Sequence, residues 1–243
     1  MIETELLEGV LVFIIGSLLG SFLNVVIYRL PREKSIVFPG SKCPKCNNEI
    51  AWYDNIPILS WLLLKAKCRY CSEPISIRYP LVEFITATLL FLTYFSLGIS
   101  FNWFFLSYFV CLIVVISMID FDHLIILDSL TYPAILVGFI YGYINSFLTD
   151  SILASVGGML FFYIMSKVSF LLLKKDGMGT GDATFTGVLG AWLGTNNLIG
   201  SLMISFFIGS IIGIILLLYK GKSEVFPFES KGSGSDIIFA NFS

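Results

Sequence analysis

Two aspartates at the ends of apolar segments are the residues of this sequence best suited to acid–base chemistry. Asp120 ends a long apolar run, and Asp182 follows the glycine-rich turn Asp176-Gly-Met-Gly-Thr-Gly181. Acidic side chains in or beside membrane spans are costly, so each is a candidate for function. Two carboxylates at one depth can share a proton, because like charges that close cannot both ionise. One would then act as a base toward water while the other acts as an acid.

Glycine and a third acidic residue supply the candidates for substrate binding. Gly179 and Gly181 permit backbone conformations that other residues avoid, so their turn can approach an extended peptide closely. Glu83 also lies within an apolar run. We take these three as candidate substrate-binding residues. Asp122 and Asp128 are expected to be solvated boundary residues, with Asp128 capping the next helix.

Four cysteines form two C-x-x-C pairs in one long hydrophilic segment. The pairs are Cys43/Cys46 and Cys68/Cys71, with 21 residues between them. Two such turns can present four thiolates tetrahedrally to one zinc ion, in a structural role because no coordination position stays open. Redox thiols and disulfides are the alternatives. Disulfides conflict with the reducing cytosol to which the charge pattern assigns this segment.

The composition indicates that these residues belong to a membrane protein. The chain has 243 residues, of which 56 % are hydrophobic and 13 % charged, and its mean hydropathy is +0.88. A soluble domain usually has about a quarter of its residues charged. The composition therefore excludes an ordinary cytosolic enzyme, a disordered chain and a nucleic-acid binder.

Seven apolar runs are long enough, or nearly so, to cross a bilayer, which takes about 20 helical residues. The runs are residues 8–28, 81–97, 101–119, 129–148, 152–173, 183–199 and 201–219. The predicted fold is an all-α integral membrane protein with about seven transmembrane helices and a small zinc-stapled cytoplasmic loop.

The basic residues predict the orientation of these helices. Nine of the fifteen Lys and Arg lie in the loop 29–80, and most of the others follow the fifth and seventh runs. With the N-terminus outside, all these loops fall on one side, which the positive-inside rule assigns to the cytoplasm. Asp120 and Asp182 then lie at the cytoplasmic boundary.

The segment Trp52–Leu64, between the cysteine pairs, has two interpretations. It is either the hydrophobic filling of the zinc module, which we favour, or a membrane-interface helix with Trp52 and Trp61 at headgroup depth.

Taken together, these motifs resemble those of the bacterial type IV prepilin peptidases, membrane aspartic proteases of the G-x-G-D type. The resemblance covers roughly residues 8–219 and is carried by residues 16–31, both cysteine pairs, residues 55–60 and 78–83, the Asp120 segment and Gly179-Thr-Gly-Asp182. It implies that Asp120 and Asp182 are catalytic and that prepilin or pseudopilin precursors lose their leader peptide at the cytoplasmic face of the bacterial inner membrane. It also implies N-methylation of the new N-terminus by S-adenosylmethionine, for which the sequence has no nucleotide-binding fingerprint.

On this reading the chain divides into an N-terminal helix (1–28), a zinc module (29–80), a peptidase bundle (81–219) and a cytoplasmic or disordered tail (220–243). Its expected partners are the precursors and membrane lipid, not nucleic acid. The alternatives are a relative that binds pilin helices without cutting them and an ion-coupled transporter.

Two features depart from the family pattern. Leu127-Asp128 stands where the family usually has Pro-Asp. The family also continues into an eighth span, whereas this chain reads Gly-Ser-Gly-Ser over residues 232–235 and stops at Ser243 without a further apolar run.

Overall fold

The computed structural model describes residues 2–173 and 179–220, and this part of the chain is helical without extended strands. Its helices are α1 (Ile2–Arg29), α2 (Leu59–Leu63), α3 (Arg78–Leu97), α4 (Phe101–His123), α5 (Asp128–Ile144), α6 (Leu148–Leu173) and α7 (Thr180–Lys220). Short 3-10 turns cover Leu30–Arg32 and Trp52–Asn55. The predicted all-α class is confirmed, while almost all of the predicted tail lies outside the described residues.

Five helices of the described chain are long and apolar enough to cross a membrane, namely α1, α3, α4, α6 and α7. The α5 helix has 17 residues, a length of about 26 Å, which is slightly short of the hydrocarbon thickness of about 30 Å. The protein is therefore a multi-pass membrane protein.

The chain turns back inside α7, at Gly194, where φ is 70° and ψ is 177°. Before the turn Thr186 contacts Gly158 of α6, and after it Leu198 reaches the same glycine. In a straight helix those two residues would lie about 18 Å apart. The two parts of α7 thus form a hairpin along α6, which agrees with two separate apolar runs in this segment, and the turn itself lies at Gly194, a few residues before the gap between those runs.

Asp150, in the first turn of α6, explains the position of this hairpin. Its carboxylate accepts hydrogen bonds from the N–H of Thr195, at 3.0 Å, and from the hydroxyl of the same residue. The first of these bonds satisfies a backbone N–H at the start of the second half of α7, where N–H groups have no partner within the helix. Gly194 lies directly against the same carboxylate and has a positive φ, so the turn requires glycine.

Glycines also allow α1 and α3 to pack closely. A Cβ added to Gly16 would lie 2.7 Å from the Cα of Ala87, and one on Gly20 would lie 2.6 Å from the Cα of Glu83. This small-xxx-small pair therefore brings the two backbones together, as such pairs do in membranes.

The α4 helix lies between two groups of helices. Ile119 belongs to a buried cluster with α1 and α3, whereas Ile116 packs in a second cluster with α5 and α7. The next residue after Ile119 is Asp120, so the carboxylate sits at the end of the helix that joins both halves of the bundle.

Candidate active site and metal centre

Asp120 lies in the last turn of α4 and its side chain is exposed. The helix ends at His123 because Leu124 takes a left-handed conformation, with φ 53°. The Leu124 N–H donates to the carbonyl of Asp120 at 2.8 Å. This C-cap fixes the Asp120 backbone at the end of the helix, where the residue is exposed.

Asp182 lies in the first turn of α7 and is half-buried. Its N–H donates to the carbonyl of Gly179 at 3.2 Å, and its own carbonyl accepts from the Thr186 hydroxyl at 2.8 Å. Gly181, just before it, packs against Ile126, where an added Cβ would lie 2.8 Å from the Ile126 Cβ. The glycine turn is thereby seated on the α4–α5 connection that follows Asp120. Gly177, the earliest glycine of the turn, is outside the described residues.

The structure brings the two predicted catalytic carboxylates together. Asp120 is close enough to Asp182 to act on it electrostatically, although 62 residues separate them in sequence. Their surroundings are unequal, since one side chain is exposed and the other half-buried. Unequal surroundings are what separate the acid and base roles of paired carboxyl groups.

Asp122 is paired rather than solvated, contrary to expectation. It forms an ion pair with Arg78, the first residue of α3, and its side chain is only 10 % exposed. Asp122 lies at the end of α4 and Arg78 at the start of α3, so this ion pair holds the two helix ends together. A second contact at the same end joins Arg32 to the Nε2 atom of His123 at 3.4 Å.

Asp128 does not cap α5, contrary to expectation. The N-cap residue is Leu127, without a side-chain cap, and Asp128 is the first helical residue and exposed. A carboxylate in the first turn still interacts favourably with the helix dipole.

Glu83 connects α3 to the cysteine segment. It is buried, and its Oε2 accepts a hydrogen bond of 2.7 Å from the Ile58 N–H. Ile58 has φ 62°, a conformation that β-branched residues rarely adopt, and this bond holds it there. The observed partner of Glu83 is therefore the chain itself, and its contact with substrate stays a prediction.

The four cysteines of the two C-x-x-C pairs form one cluster. Their Sγ atoms all lie within 4.8 Å of one another, and Cys43 and Cys71 are 3.7 Å apart. None is disulfide-bonded. Backbone N–H groups of Cys46 and then Lys45 lower the pKa of the Cys43 thiol to about 6, which favours a thiolate. The cluster can hold a metal ion.

Each cysteine pair is built on the same backbone pattern. The Cys43 N–H donates to the carbonyl of Asn48 at 3.0 Å, and the Cys68 N–H donates to the carbonyl of Glu73 at 2.8 Å. A left-handed residue follows the second cysteine of each pair, Asn47 in one and Ser72 in the other. The two halves of the cysteine segment therefore repeat one backbone pattern. The two halves share the spacing of their cysteines, whereas most of their other residues differ in type.

Ion pairs fasten the repeat. Lys45 of the first half pairs with Glu73 of the second. Arg69 donates two hydrogen bonds, of 2.7 and 2.5 Å, to the buried carboxylate of Asp54. These bonds lower the pKa of the Asp54 carboxyl, and Glu73 raises that of Lys45.

A cavity of about 530 Å³ separates the cysteine segment from α1 and α3. Its wall includes Asn24, Tyr79, Trp61 and Glu83. The Asn24 side chain donates to the carbonyl of Tyr79 at 3.1 Å, and the Trp61 indole donates to the carbonyl of Ile75 at 3.0 Å.

Known proteins resemble the chain over nearly its whole length. Residues 14–97 match the bacterial peptidase A24 N-terminal domain, and residues 106–216 match the type IV leader peptidase family. No solved structure matches the chain significantly.

Curated relatives carry the name prepilin leader peptidase/N-methyltransferase, and three of them show the degree of similarity. The one from Myxococcus xanthus is 39 % identical over 220 residues, which cover 89 % of this chain and 65 % of that protein. The relative from Aeromonas hydrophila is 35 % identical and covers 90 % of this chain and 85 % of its own. The relative from Neisseria gonorrhoeae is 36 % identical, and the matched residues cover 94 % of this chain and 89 % of that protein. The chain belongs to the type IV leader peptidase family.

Proposed function

We propose that this protein is a membrane aspartic endopeptidase that removes the leader peptide from type IV prepilin or pseudopilin precursors, with Asp120 and Asp182 as the catalytic pair. The family and the names of its relatives support the reaction. The closeness of the two carboxylates supports the choice of residues. A transporter is not favoured, because these acids lie at one end of their helices and carriers hold theirs near the midplane.

The reaction needs one carboxylate as a base and one carboxyl group as an acid. The base removes a proton from water while the water oxygen bonds to the peptide carbonyl carbon. The acid donates a proton to the carbonyl oxygen. When the C–N bond breaks, the proton taken from water passes to the leaving amine, and the aspartate that acted as the acid takes a proton back from a hydroxyl of the tetrahedral intermediate, so the pair returns to its starting state.

We propose that the glycine turn binds the extended part of the precursor. An added Cβ on the exposed Gly179 would meet only the nitrogen of Gly181, at 3.9 Å. The main chain there is open to an approaching peptide, whereas Gly181 is packed against Ile126. We therefore assign substrate contact to Gly179 and positioning of Asp182 to Gly181.

The proposed orientation places both aspartates at the cytoplasmic face of the inner membrane and the N-terminus outside. The basic segment that follows α1 lies at the same end of the bundle as Asp120, because Arg32 contacts His123 and Arg78 pairs with Asp122. The positive-inside rule assigns such an end to the cytoplasm.

We propose zinc as the metal of the cysteine cluster. Four thiolates at about 2.3 Å from a tetrahedral zinc ion lie about 3.8 Å from one another. The Sγ atoms of Cys43 and Cys71, at 3.7 Å, fit that spacing. With all four positions filled by thiolates, the ion would shape the segment and take no part in hydrolysis.

The names of the chain's relatives imply a methyl transfer. We propose the cavity beside the cysteine segment as the site that binds the methyl donor, S-adenosylmethionine. Its volume lies in the range of about 300–1,000 Å³ typical of ligand sites. Asn24, Tyr79 and the buried Glu83 would line the bound molecule. When bound, it would supply a methyl group to the amine that hydrolysis exposes.

A binding measurement tests the methyl-donor site apart from cleavage. Purified protein without precursor should retain radiolabelled S-adenosylmethionine in equilibrium dialysis. Asn24→Leu should lose that binding and still cleave precursor, whereas Asp182→Asn should keep the binding and lose cleavage. Undiminished binding by Asn24→Leu would refute the site.

Mass spectrometry of a prepilin incubated with the purified protein tests the peptidase. The wild type should release the leader peptide, and Asp120→Asn and Asp182→Asn should each leave the precursor intact. Asp128→Asn is the matched control, because Asp128 is an exposed boundary aspartate outside the pair. Full cleavage by Asp182→Asn would contradict the proposal, and an inactive wild type would favour a relative that only binds pilin helices.

A further inference from the structure

The short helix α2 of the cysteine segment has two unlike faces. Leu59, Leu62 and Leu63 lie at spacings of three and four residues and therefore share one face, here called the leucine face. Their exposed fractions are 58 %, 57 % and 82 %. The opposite face is bonded to the segment, since buried Ser60 donates to the carbonyl of Tyr53 at 2.9 Å and Trp61 to that of Ile75. Hydrophobic filling thus describes Trp61 but not the leucines.

The position of α2 along the bundle places the leucine face at the edge of the membrane. Ile58, immediately before α2, is hydrogen-bonded to Glu83 of α3. The 20 residues of α3 span about 30 Å, the whole hydrocarbon thickness, and Glu83 lies about 7.5 Å from the first of them. The start of α2 is therefore level with the first turns of a membrane-spanning helix, where interfacial helices bury their apolar faces.

Neighbouring residues match the chemistry of a lipid interface. Lys65 and Lys67 follow α2, are exposed, and form no ion pair within the described part of the chain. Trp52, beside Tyr53, is 81 % exposed. At the same level α3 also exposes the apolar side chains of Leu81 and Phe84. Cations, tryptophan and leucines in this arrangement suit an anionic headgroup region.

We propose that the leucine face is a membrane anchor, inserted among the headgroups and upper acyl chains, with Lys65 and Lys67 against anionic lipid phosphates. The cysteine segment is then a bilayer-bound element at the end of the bundle that carries Asp120.

Photocrosslinking of the full chain in lipid nanodiscs tests the anchor. The photoreactive residue p-benzoylphenylalanine replaces Leu63 in one variant and Tyr70 in another. Tyr70 is the matched control, because it is also an exposed apolar residue of the module but lies in the second cysteine turn. After illumination, the Leu63 position should give phospholipid adducts by mass spectrometry at least several-fold more often than the Tyr70 position. Equal yields, or adducts of Leu63 only with a second copy of the chain, would overturn the proposal.

The lysines are tested in the Leu63 variant by changing the lipid. Adduct yield should be higher in nanodiscs that contain phosphatidylglycerol than in pure phosphatidylcholine. The added substitutions Lys65→Gln and Lys67→Gln should remove that difference and leave the phosphatidylcholine yield unchanged. A lipid dependence that survives both substitutions would refute the role of the lysines.

Discussion

Gly181 lies directly against Ile126, and there is no space between them for even one methyl group. The two residues belong to the segments that carry the two aspartates, so this contact sets how closely the glycine turn approaches the end of α4. The activity of the pair should depend on a residue that has no chemistry of its own.

Gly181→Ala should lower kcat for precursor cleavage by at least tenfold, because a displacement of about 1 Å at a reacting group can cost about a hundredfold. Gly179→Ala, whose Cβ has room, should leave kcat within a few-fold and raise KM. Steady-state kinetics on one precursor separates the two effects. Adding Ile126→Gly to Gly181→Ala removes the Cβ that the new methyl group meets and should restore part of kcat, and the absence of any rescue would show that the contact does not position Asp182.

The Arg78–Asp122 pair should stabilise the bundle measurably. Replacing Arg78 with Gln leaves a mostly buried carboxylate without its partner, at an expected cost of about 1–3 kcal/mol in unfolding free energy, between the values for exposed and buried pairs. Thermal unfolding in detergent should show this as a lower midpoint. Glu49→Gln, which breaks the exposed pair with Lys42, is the control and should have no measurable effect. Equal midpoints for both variants would contradict the prediction.

Elemental analysis of purified protein should find about one zinc ion per chain. The double variant Cys43→Ser, Cys46→Ser should lose it, and proteases should then cut the segment between α1 and α3. Cys111→Ser is the control, because Cys111 lies in α4 outside the cluster and should leave the zinc content unchanged. Zinc retained by the double variant would exclude the cluster as its site.

The Asp54–Arg69 pair predicts how the stability of the cysteine segment depends on pH. The folded-state pKa of Asp54 is lowered, so its stabilising contribution is complete above the ordinary carboxyl pKa of about 4 and is lost as pH falls through the lowered value. The difference in thermal midpoint between wild type and Asp54→Asn should therefore be constant from pH 7 to about pH 5 and shrink below about pH 4. Metal loss at low pH affects both proteins, so the difference isolates the carboxylate. A difference that widens toward low pH would reverse the assigned sign.

Gly194→Ala should destabilise the protein, since a backbone with φ 70° and ψ 177° is essentially restricted to glycine and costs other residues about 1–3 kcal/mol, and the added Cβ would press on Asp150. Gly200→Ala is the matched control in the same helix, with open space around its Cβ and a higher helix propensity, so it should be neutral or slightly stabilising. Midpoints of thermal unfolding compare the two, and similar values would argue against the hairpin turn at Gly194.

The sequence could predict those parts of the site whose chemistry is local. Boundary aspartates are rare and C-x-x-C pairs have few uses, so Asp120, Asp182 and the cysteines could be selected by residue type and spacing. The pairing of Asp122 with Arg78 could not, because 44 residues separate them and either charge alone looks like a solvated boundary residue.

The exact position of the hairpin turn could not be predicted either, although the two apolar runs 183–199 and 201–219 predict a turn between them. Residues 183–219 form an almost unbroken apolar stretch with several glycines, and hydropathy does not distinguish the one that bends. Only the distant carboxylate of Asp150 selects Gly194. A turn that is specified by a tertiary contact leaves little trace in its own segment.

The repeated backbone pattern of the two cysteine turns has a consequence for biosynthesis. The second turn ends at Cys71, seven residues before Arg78 begins α3. During translation all four thiols leave the ribosome before α3 does, while the first turn emerges alone and incomplete. The segment can therefore close while α1 is the only helix in the bilayer, and the closed segment then fixes the point beside α1 at which α3 enters.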